Sequence, residues 1–286
     1  MEGALMTPRH SRRAFLTGTI AAGIGLAGCG SSSPVESLRT PTFESIVSGV
    51  TVESQEVVLR LSSSEVTEAV LIGPDGTAFD SQTVETGERT VRFPIIELDV
   101  SQGSYSHYTP GTYELVIVAD DEEFSQQLPL VPELQITAVE QYRDGEAPVD
   151  LSRIAFTIEN IGTGPSWVYD VGFEGSPNFT ADDELSGYPG IPDLEEPTTE
   201  AELLLAPDVE QRYIDGSNPL SPRTSEYTCQ SSIPSFVSRV GVADGSILSA
   251  ELNPTFGGDS ISFGFSDRFV CTEVELNWTV IEESLE

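Results

Sequence analysis

Along most of the chain beyond residue 50, apolar and polar residues alternate with a period of two, the spacing of a strand with one buried face. Val57, Leu59 and Leu61 alternate with Val58 and Arg60. Ala69 to Ile72 follows and runs into Pro74-Asp75-Gly76, a turn in which Pro presets φ and Gly accepts a positive φ. Phe79 to Val84 and Thr90 to Ile95 are the next strands, separated by Thr86-Gly87-Glu88. Tyr113, Leu115 and Ile117 alternate with Glu114, Val116 and Val118; Asp120-Asp121-Glu122-Glu123 then turns the chain, and Phe124 to Leu130 returns. About seven short strands in about 90 residues, with regular turn signals, predict an antiparallel sandwich.

The pattern restarts after Val131-Pro132-Glu133. Leu134 to Val139 is apolar-rich, and Ile154, Phe156 and Ile158 alternate with Ala155, Thr157 and Glu159. After Asn160-Ile161-Gly162-Thr163-Gly164-Pro165, the residues Trp167, Tyr169, Val171 and Phe173 alternate with Val168, Asp170 and Gly172, which places Trp167 in a core. Ile261, Phe263 and Phe265 form a further strand, and so do Val274, Leu276, Trp278 and Val280. Two stretches, from about Leu185 to Glu200 and from Gly216 to Pro234, exceed ordinary loop lengths and read as functional or mobile. No convincing amphipathic helix and no repeat of 20–50 residues is visible. The fold class is therefore all-β: two immunoglobulin-like antiparallel β-sandwich domains, over 41–131 and 132–286, behind a signal peptide. Thr109-Pro110-Gly111-Thr112-Tyr113 resembles the opening of a late strand in such domains, where the Tyr closes a corner by bonding back to the backbone. The unit of strand, Asn160-to-Pro165 turn and strand resembles the CARDB adhesion-type sandwiches of archaeal and bacterial surfaces. Glu202-Leu203-Leu204-Leu205-Ala206-Pro207 followed by Tyr213 resembles that family's strand opening, with Asp208 in place of the usual Gly. The resemblance covers about 80 residues and implies binding or spacing rather than catalysis.

The amino terminus reads as an address. A basic n-region precedes a short apolar run from Ala14 to Ala27 and a small-residue cleavage site, the composition of a secretory signal over 1–28. The run is too short and Gly-rich for a stable membrane span. Arg12 and Arg13 followed by Phe15 and Leu16 resemble a twin-arginine signal, which exports folded proteins. Leu26-Ala27-Gly28-Cys29 resembles a lipobox, which implies a lipid on Cys29 and membrane lipid as a partner. An uncleaved amphipathic anchor is the alternative, and Met6 rivals Met1 as the start. Residues 29–40, with Gly30-Ser31-Ser32-Ser33-Pro34, read as a flexible tether.

Composition narrows the chemistry. The 286 residues hold 47 Asp and Glu against 13 bases, every one of them Arg, with two His and a net charge of −34. Removing residues 1–28, with three Arg and one Glu, makes the charge −36 and leaves His107 as the sole His. Absence of Lys excludes Schiff-base chemistry and a GxxxxGK[ST] phosphate loop. Two His cannot build a three-His metal centre, and the charge opposes nucleic acid. The carboxylates are spread among 13 Phe, 8 Tyr and many β-branched residues, so the chain reads as folded with an acidic coat rather than disordered. Abundant Asp and Glu with Arg as the only base resembles proteins of extremely halophilic archaea; an ordinary acidic secreted protein is the alternative.

With Cys29 lipidated, Cys229 and Cys271 remain, and in an exported chain they predict a disulfide, with buried free thiols as the alternative. The sequons at Asn178 and Asn277 are candidate N-glycan sites. No GxSxG elbow occurs, and His107 beside a turn reads as a packed or exposed loop residue before it reads as a base. No cofactor is called for and no metal ligands are assigned; calcium is the one ion the composition leaves open, with Asp120-Asp121-Glu122-Glu123 and Asp182-Asp183-Glu184 the densest clusters. Tyr105, Tyr108, Trp167 and Tyr188 are candidates for a sugar platform, Tyr188 the best placed. The expectation is a non-enzymatic binding or structural lipoprotein on the outer face of the cytoplasmic membrane, with a cell-surface protein or glycan as partner. The rival is a lipid-anchored hydrolase or hydrolase subunit using carboxylates or calcium; a transporter's solute-binding component ranks last, for want of helices.

Overall fold

Each alternating run of the first half forms a strand. In a computed structural model that describes residues 42–145, 147–178, 185, 190–262 and 267–281, this half holds β1 (Val47–Val52), β2 (Glu56–Leu61), β3 (Val66–Ile72), β4 (Ala78–Thr83), β5 (Thr90–Pro94), β6 (Ile96–Asp99), β7 (Ser104–His107), β8 (Gly111–Ala119) and β9 (Glu122–Leu130). One sheet is ordered β1-β2-β5 and the other β4-β3-β8-β9, with β6-β7 a separate hairpin and every pairing antiparallel. Val57, Leu59, Val91 and Phe93 from one sheet and Leu71, Leu115 and Ile117 from the other are buried in the core. Asp120 and Asp121, both at positive φ (50° and 64°), form the two-residue turn between β8 and β9 that fits strand twist. Tyr113 closes its corner: its hydroxyl donates to the Thr109 carbonyl at 3.0 Å, four residues back.

The second half holds β10 (Leu134–Gln141), β11 (Ile154–Asn160), β12 (Ser166–Glu174), β13 (Leu204–Leu205), β14 (Glu210–Ile214), β15 (Phe236–Val242), β16 (Ile247–Ser262) and β17 (Phe269–Ile281). The sheets are β10-β11-β14 and β13-β12-β15-β16-β17, again antiparallel. Phe156 and Phe173 meet across them at 6.0 Å. Helix is confined to single turns at Phe43–Ile46, Pro148–Ser152 and Glu200–Leu203 among the described residues. Alternation fails on β12, where Ser166 to Phe173 are all buried. The register shifts between Val168 and Asp170, and residues 190–196 close the side of this sandwich, from Asp193 N–H on the Tyr169 carbonyl to Glu195 N–H on the Ile214 carbonyl.

The Asn160-to-Pro165 turn is the joint between the sandwiches. Asn160 has no exposed surface. Its Oδ1 accepts from the N–H groups of Glu133 (3.3 Å) and Gly162 (3.0 Å), and its Nδ2 donates to the carbonyls of Gly164 (2.8 Å) and Leu205 (3.0 Å). The turn also grips the connecting segment: Ile161 N–H donates to the Glu133 carbonyl, and the N–H groups of Thr163 and Gly164 both donate to the Val131 carbonyl. Tyr108 of the first sandwich donates its hydroxyl to the Pro165 carbonyl at 2.9 Å. Both glycines are required by close approach: a Cβ on Gly162 would meet the Glu133 and Val131 backbone, and one on Gly164 would meet Tyr108 Oη and lie 2.9 Å from Leu130 C. One buried cluster consequently runs from Phe43 to Val274, within the compact unit Pro41–Glu286.

Strand direction fixes which features share an end. In the first sandwich, Leu130 and the start of β8 lie at the joint, while the β8–β9 turn, Leu61 and the Phe43–Ile46 turn lie at the opposite end. In the second, Asn160, Trp167 and Val242 lie at the joint, and Gln141, Ile154 and Phe236 lie away from it. From Asn253 onward β16 has passed its β15 partner, so the β16–β17 hairpin projects beyond that far end.

Because Asn160 uses both ends of its amide, Asn160→Ala should cost about 2–4 kcal/mol in urea unfolding, leaving several backbone groups unsatisfied. Gly164→Ala should cost about 1–3 kcal/mol by overpacking against Tyr108 and Leu130. Both losses are expected in one cooperative transition of the two sandwiches.

Candidate functional site

The projecting hairpin outruns β15, its base resting on the end of β10 and the Pro148–Ser152 turn, and the long segment after Gly216 packs along it. An isolated bridge joins Arg223 to Arg268 and another joins Ser232 to Thr255. Between them the Cys229–Cys271 disulfide, with Cα atoms 5.6 Å apart, ties the segment to β17. Cys229 and Cys271 thus form the bridge that an exported chain with two remaining cysteines predicts. The segment is further held by its own turn, where Thr228 N–H donates to Ser231 Oγ at 2.8 Å.

A groove of about 470 Å³ lies between segment and hairpin. Tyr227, Phe269 and Cys229 supply its apolar surface, and Thr224, Thr228, Gln230, Asp259, Ser260 and Ser262 supply its polar groups. A bulge between Gly257 and Ser260 shapes one wall. Gly258 has a φ of 68° there, and a Cβ would meet Thr272 Oγ1, which accepts the Asp259 N–H at 3.0 Å. Among the described residues the lining contains no His or Arg and no free thiol. Hydroxyls that both donate and accept, one amide and an aromatic ring suit an uncharged polar ligand. Asp259 disfavours an anion. The Gly216-to-Pro234 stretch that reads as functional or mobile supplies one wall, Thr224 to Gln230; the hairpin wall was not found from the sequence, where the Gly257-Gly258 break in a strand pattern was the available signal.

The residues expected to matter are dispersed. Cys29, Arg12, Arg13, Tyr188 and the Asp182-Asp183-Glu184 cluster lie outside the described residues. His107 packs at the joint, its ring stacked on Tyr108 at 4.4 Å and 5.3 Å from Trp167, with Nδ1–H donating to the Tyr108 carbonyl. Burial holds its pKa below the ordinary His value, and no serine hydroxyl bonds it among the described residues. Trp167 is fully buried, Nε1–H donating to the Gly190 carbonyl at 2.9 Å, and Tyr108 is also buried. Only Tyr105 of the described aromatic candidates is exposed, edge-on to Trp167. Asn277 is exposed on β17. Asn178 is 5% exposed, its Nδ2 donating to the Asn218 carbonyl at 2.8 Å and its Oδ1 taking a hydrogen bond from Arg268. The amide nitrogen a glycan would use is therefore engaged in the folded chain.

Among the described residues, no group of three or more His, Cys, Asp or Glu is arranged to hold a metal ion. Carboxylates do approach one another beside β12. Asp170, 4% exposed, and Asp193 face Asp215, whose Oδ2 accepts the Ser217 N–H at 2.6 Å. Burial first, then the charges of Asp170 and Asp193, push the Asp215 pKa up to about 6 against the favourable Ser217 contacts.

That shift has a definite sign in stability. A carboxyl whose pKa is higher folded than unfolded stabilises fully below about pH 4 and loses that contribution as pH rises through about 6. Asp215→Asn, permanently neutral, should therefore be more stable than the parent at pH 7.5, by up to about 3 kcal/mol, and equal to it near pH 4. Thermal melts of both chains across that range check the prediction. Compared with known proteins, the chain matches no protein-family model and no curated protein.

Proposed function

We propose that the protein is a surface lipoprotein, exported through the Arg12–Arg13 signal and anchored by a lipid on Cys29, that acts as a non-enzymatic binding or structural module. The observation that carries this reading is the placement of the two ends. The chain enters the first sandwich at Thr42, at the end away from the joint, and the groove lies at the end of the second sandwich away from the joint. A joint closed by Asn160, Gly162, Gly164 and Tyr108 keeps those ends apart. A tether at one end and a polar groove at the other suit presentation of a binding surface away from a membrane, with a glycan or the polar surface of a neighbouring protein as partner. The likeness of the Asn160-to-Pro165 turn to CARDB sandwiches fits a spacing role, and the acidic coat fits a saline exterior.

Cell fractionation with mass spectrometry tests it. The native chain is expected in the membrane fraction, beginning at a lipid-modified Cys29, and Cys29→Ala is expected in the medium. Two acyl chains are needed for stable anchoring, so the mass should show more than one. A soluble, unlipidated native chain would remove the anchor and leave a secreted hydrolase as the better reading.

A further inference from the structure

The outer edge of β17 divides into a closed half and an open half. Among the described residues β17 pairs with β16 alone. Near its start the edge is closed by Gln141 of β10, whose Nε2 donates to the Cys271 carbonyl (3.1 Å) and whose Oε1 accepts the Val274 N–H (3.1 Å). The Val274 N–H thus points away from β16. In an antiparallel ladder this direction alternates, so Leu276, Trp278 and Val280 present their N–H and C=O groups at the same edge. The partner of Leu276 is Pro254, which has no N–H to give, in keeping with a pair that is not mutually bonded.

This open half is unlike the rest of the surface. Leu276 to Ile281 carries no charge, in a chain with net charge −34. Val280 is 49% exposed and Ile281 38% exposed; Leu276 and Trp278 are half-buried against the core. Natural edge strands are commonly protected by charge, Pro or a bulge, and Leu276 to Ile281 has none of these, its one register shift lying further back opposite Gly257–Ser260.

We propose that this edge pairs with the same edge of a second copy, joining the two five-stranded sheets about a two-fold axis at Trp278. The run is its own complement in that register. Leu276 meets Val280 and Trp278 meets Trp278 on one face. Asn277 meets Thr279 and Glu275 meets Ile281 on the other, so no two carboxylates of the strand stand opposite. A two-fold interface demands that self-complementarity, and a neutral run offers nothing to a basic partner. The rest of the surface opposes the encounter, since both copies are strongly acidic. Pairing therefore strengthens as salt shortens the screening length from about 10 Å at 0.1 M to about 3 Å at 1 M. The proposal does not depend on how the chain is anchored.

Sedimentation velocity on the exported chain carrying Cys29→Ser tests it, with two double variants at exposed positions that leave the core untouched. In N277E/T279E the seam gains only like charges, and in N277K/T279E each new Lys faces a new Glu of the other copy. Both remove the Asn277 sequon, so a glycan plays no part. The parent should be monomeric at about 0.1 M salt and dimeric at about 2 M. N277E/T279E should dimerise at least about tenfold more weakly, while N277K/T279E should hold its dimer to lower salt than N277E/T279E. A parent that stays monomeric at molar salt and about 100 µM chain overturns the proposal, as does a dimer that tightens when salt is removed or double variants that associate equally.

Discussion

The arrangement of the molecule rests on one side-chain amide. Asn160 binds the start of β10 through Glu133, its own turn through Gly162 and Gly164, and β13 through Leu205. A buried amide that meets two donors and two acceptors has no equivalent among the other side chains: Asp offers no donor, and Gln is a methylene longer. From that fixed point the turn can press two glycines against the connecting segment, and Tyr108 can reach Pro165. The joint is therefore built like the interior of a domain rather than like a linker. The two halves share a core across it, and the direction of the second sandwich follows from the first.

Electrostatics explains why neutral groups hold this position. With 47 carboxylates and 13 bases, attraction between elements cannot come from charge in general. The described ion pairs sit within one sandwich or one hairpin, such as Arg92 with Glu56 and Arg212 with Glu140, and most are exposed. Such pairs contribute little and less in salt. The long-range ties are amides and a hydroxyl instead: Asn160 and the Tyr108 hydroxyl at the joint, Gln141 across the edge of the second sandwich, and the Asn178 amide on the Asn218 carbonyl at its far end. These bonds do not weaken as salt rises, which suits an acidic chain whose self-repulsion is relieved only by salt.

The strands of the first sandwich are legible because alternation and turn chemistry agree there. The β8–β9 hairpin shows it: apolar positions at every second residue, and two Asp that tolerate positive φ at the turn. Tyr113 is legible for the same reason. The hairpin Ile96–Asp99 with Ser104–His107 is not, because Ser-Tyr-Ser-His carries no periodic signal and is placed by contact with its neighbours. β16 is hidden by Pro254 and Gly257-Gly258, residues that normally end a strand. Each is tolerated for a local reason: Pro254 faces Leu276 where no ladder N–H is needed, and Gly258 sits in a bulge. The Asn160-to-Pro165 turn is legible as a motif but not as a joint, since its partners Tyr108 and Glu133 lie far away in sequence. The groove is half legible for the same reason: the long Gly216-to-Pro234 stretch stands out, but its facing wall on the hairpin does not. Its two walls come from segments far apart in sequence, which the disulfide and two isolated bridges bring together.

That disulfide addresses a specific weakness. A strand pair that outruns its sandwich loses the apolar support that makes a two-stranded ribbon stable, and such ribbons are marginal alone. In the chain-entropy picture, closing a loop of about 40 residues contributes roughly 4 kcal/mol, on the order needed to hold an irregular segment against the ribbon. The closure also fixes Tyr227 and Thr228 on one side and Asp259 and Ser260 on the other at constant separation. A groove made of hydroxyls gains little binding energy from area alone, so its usefulness depends on being pre-formed. The covalent tie holds the two walls of this polar groove at the far end of the second sandwich in one arrangement, the condition under which hydroxyls can contribute to binding.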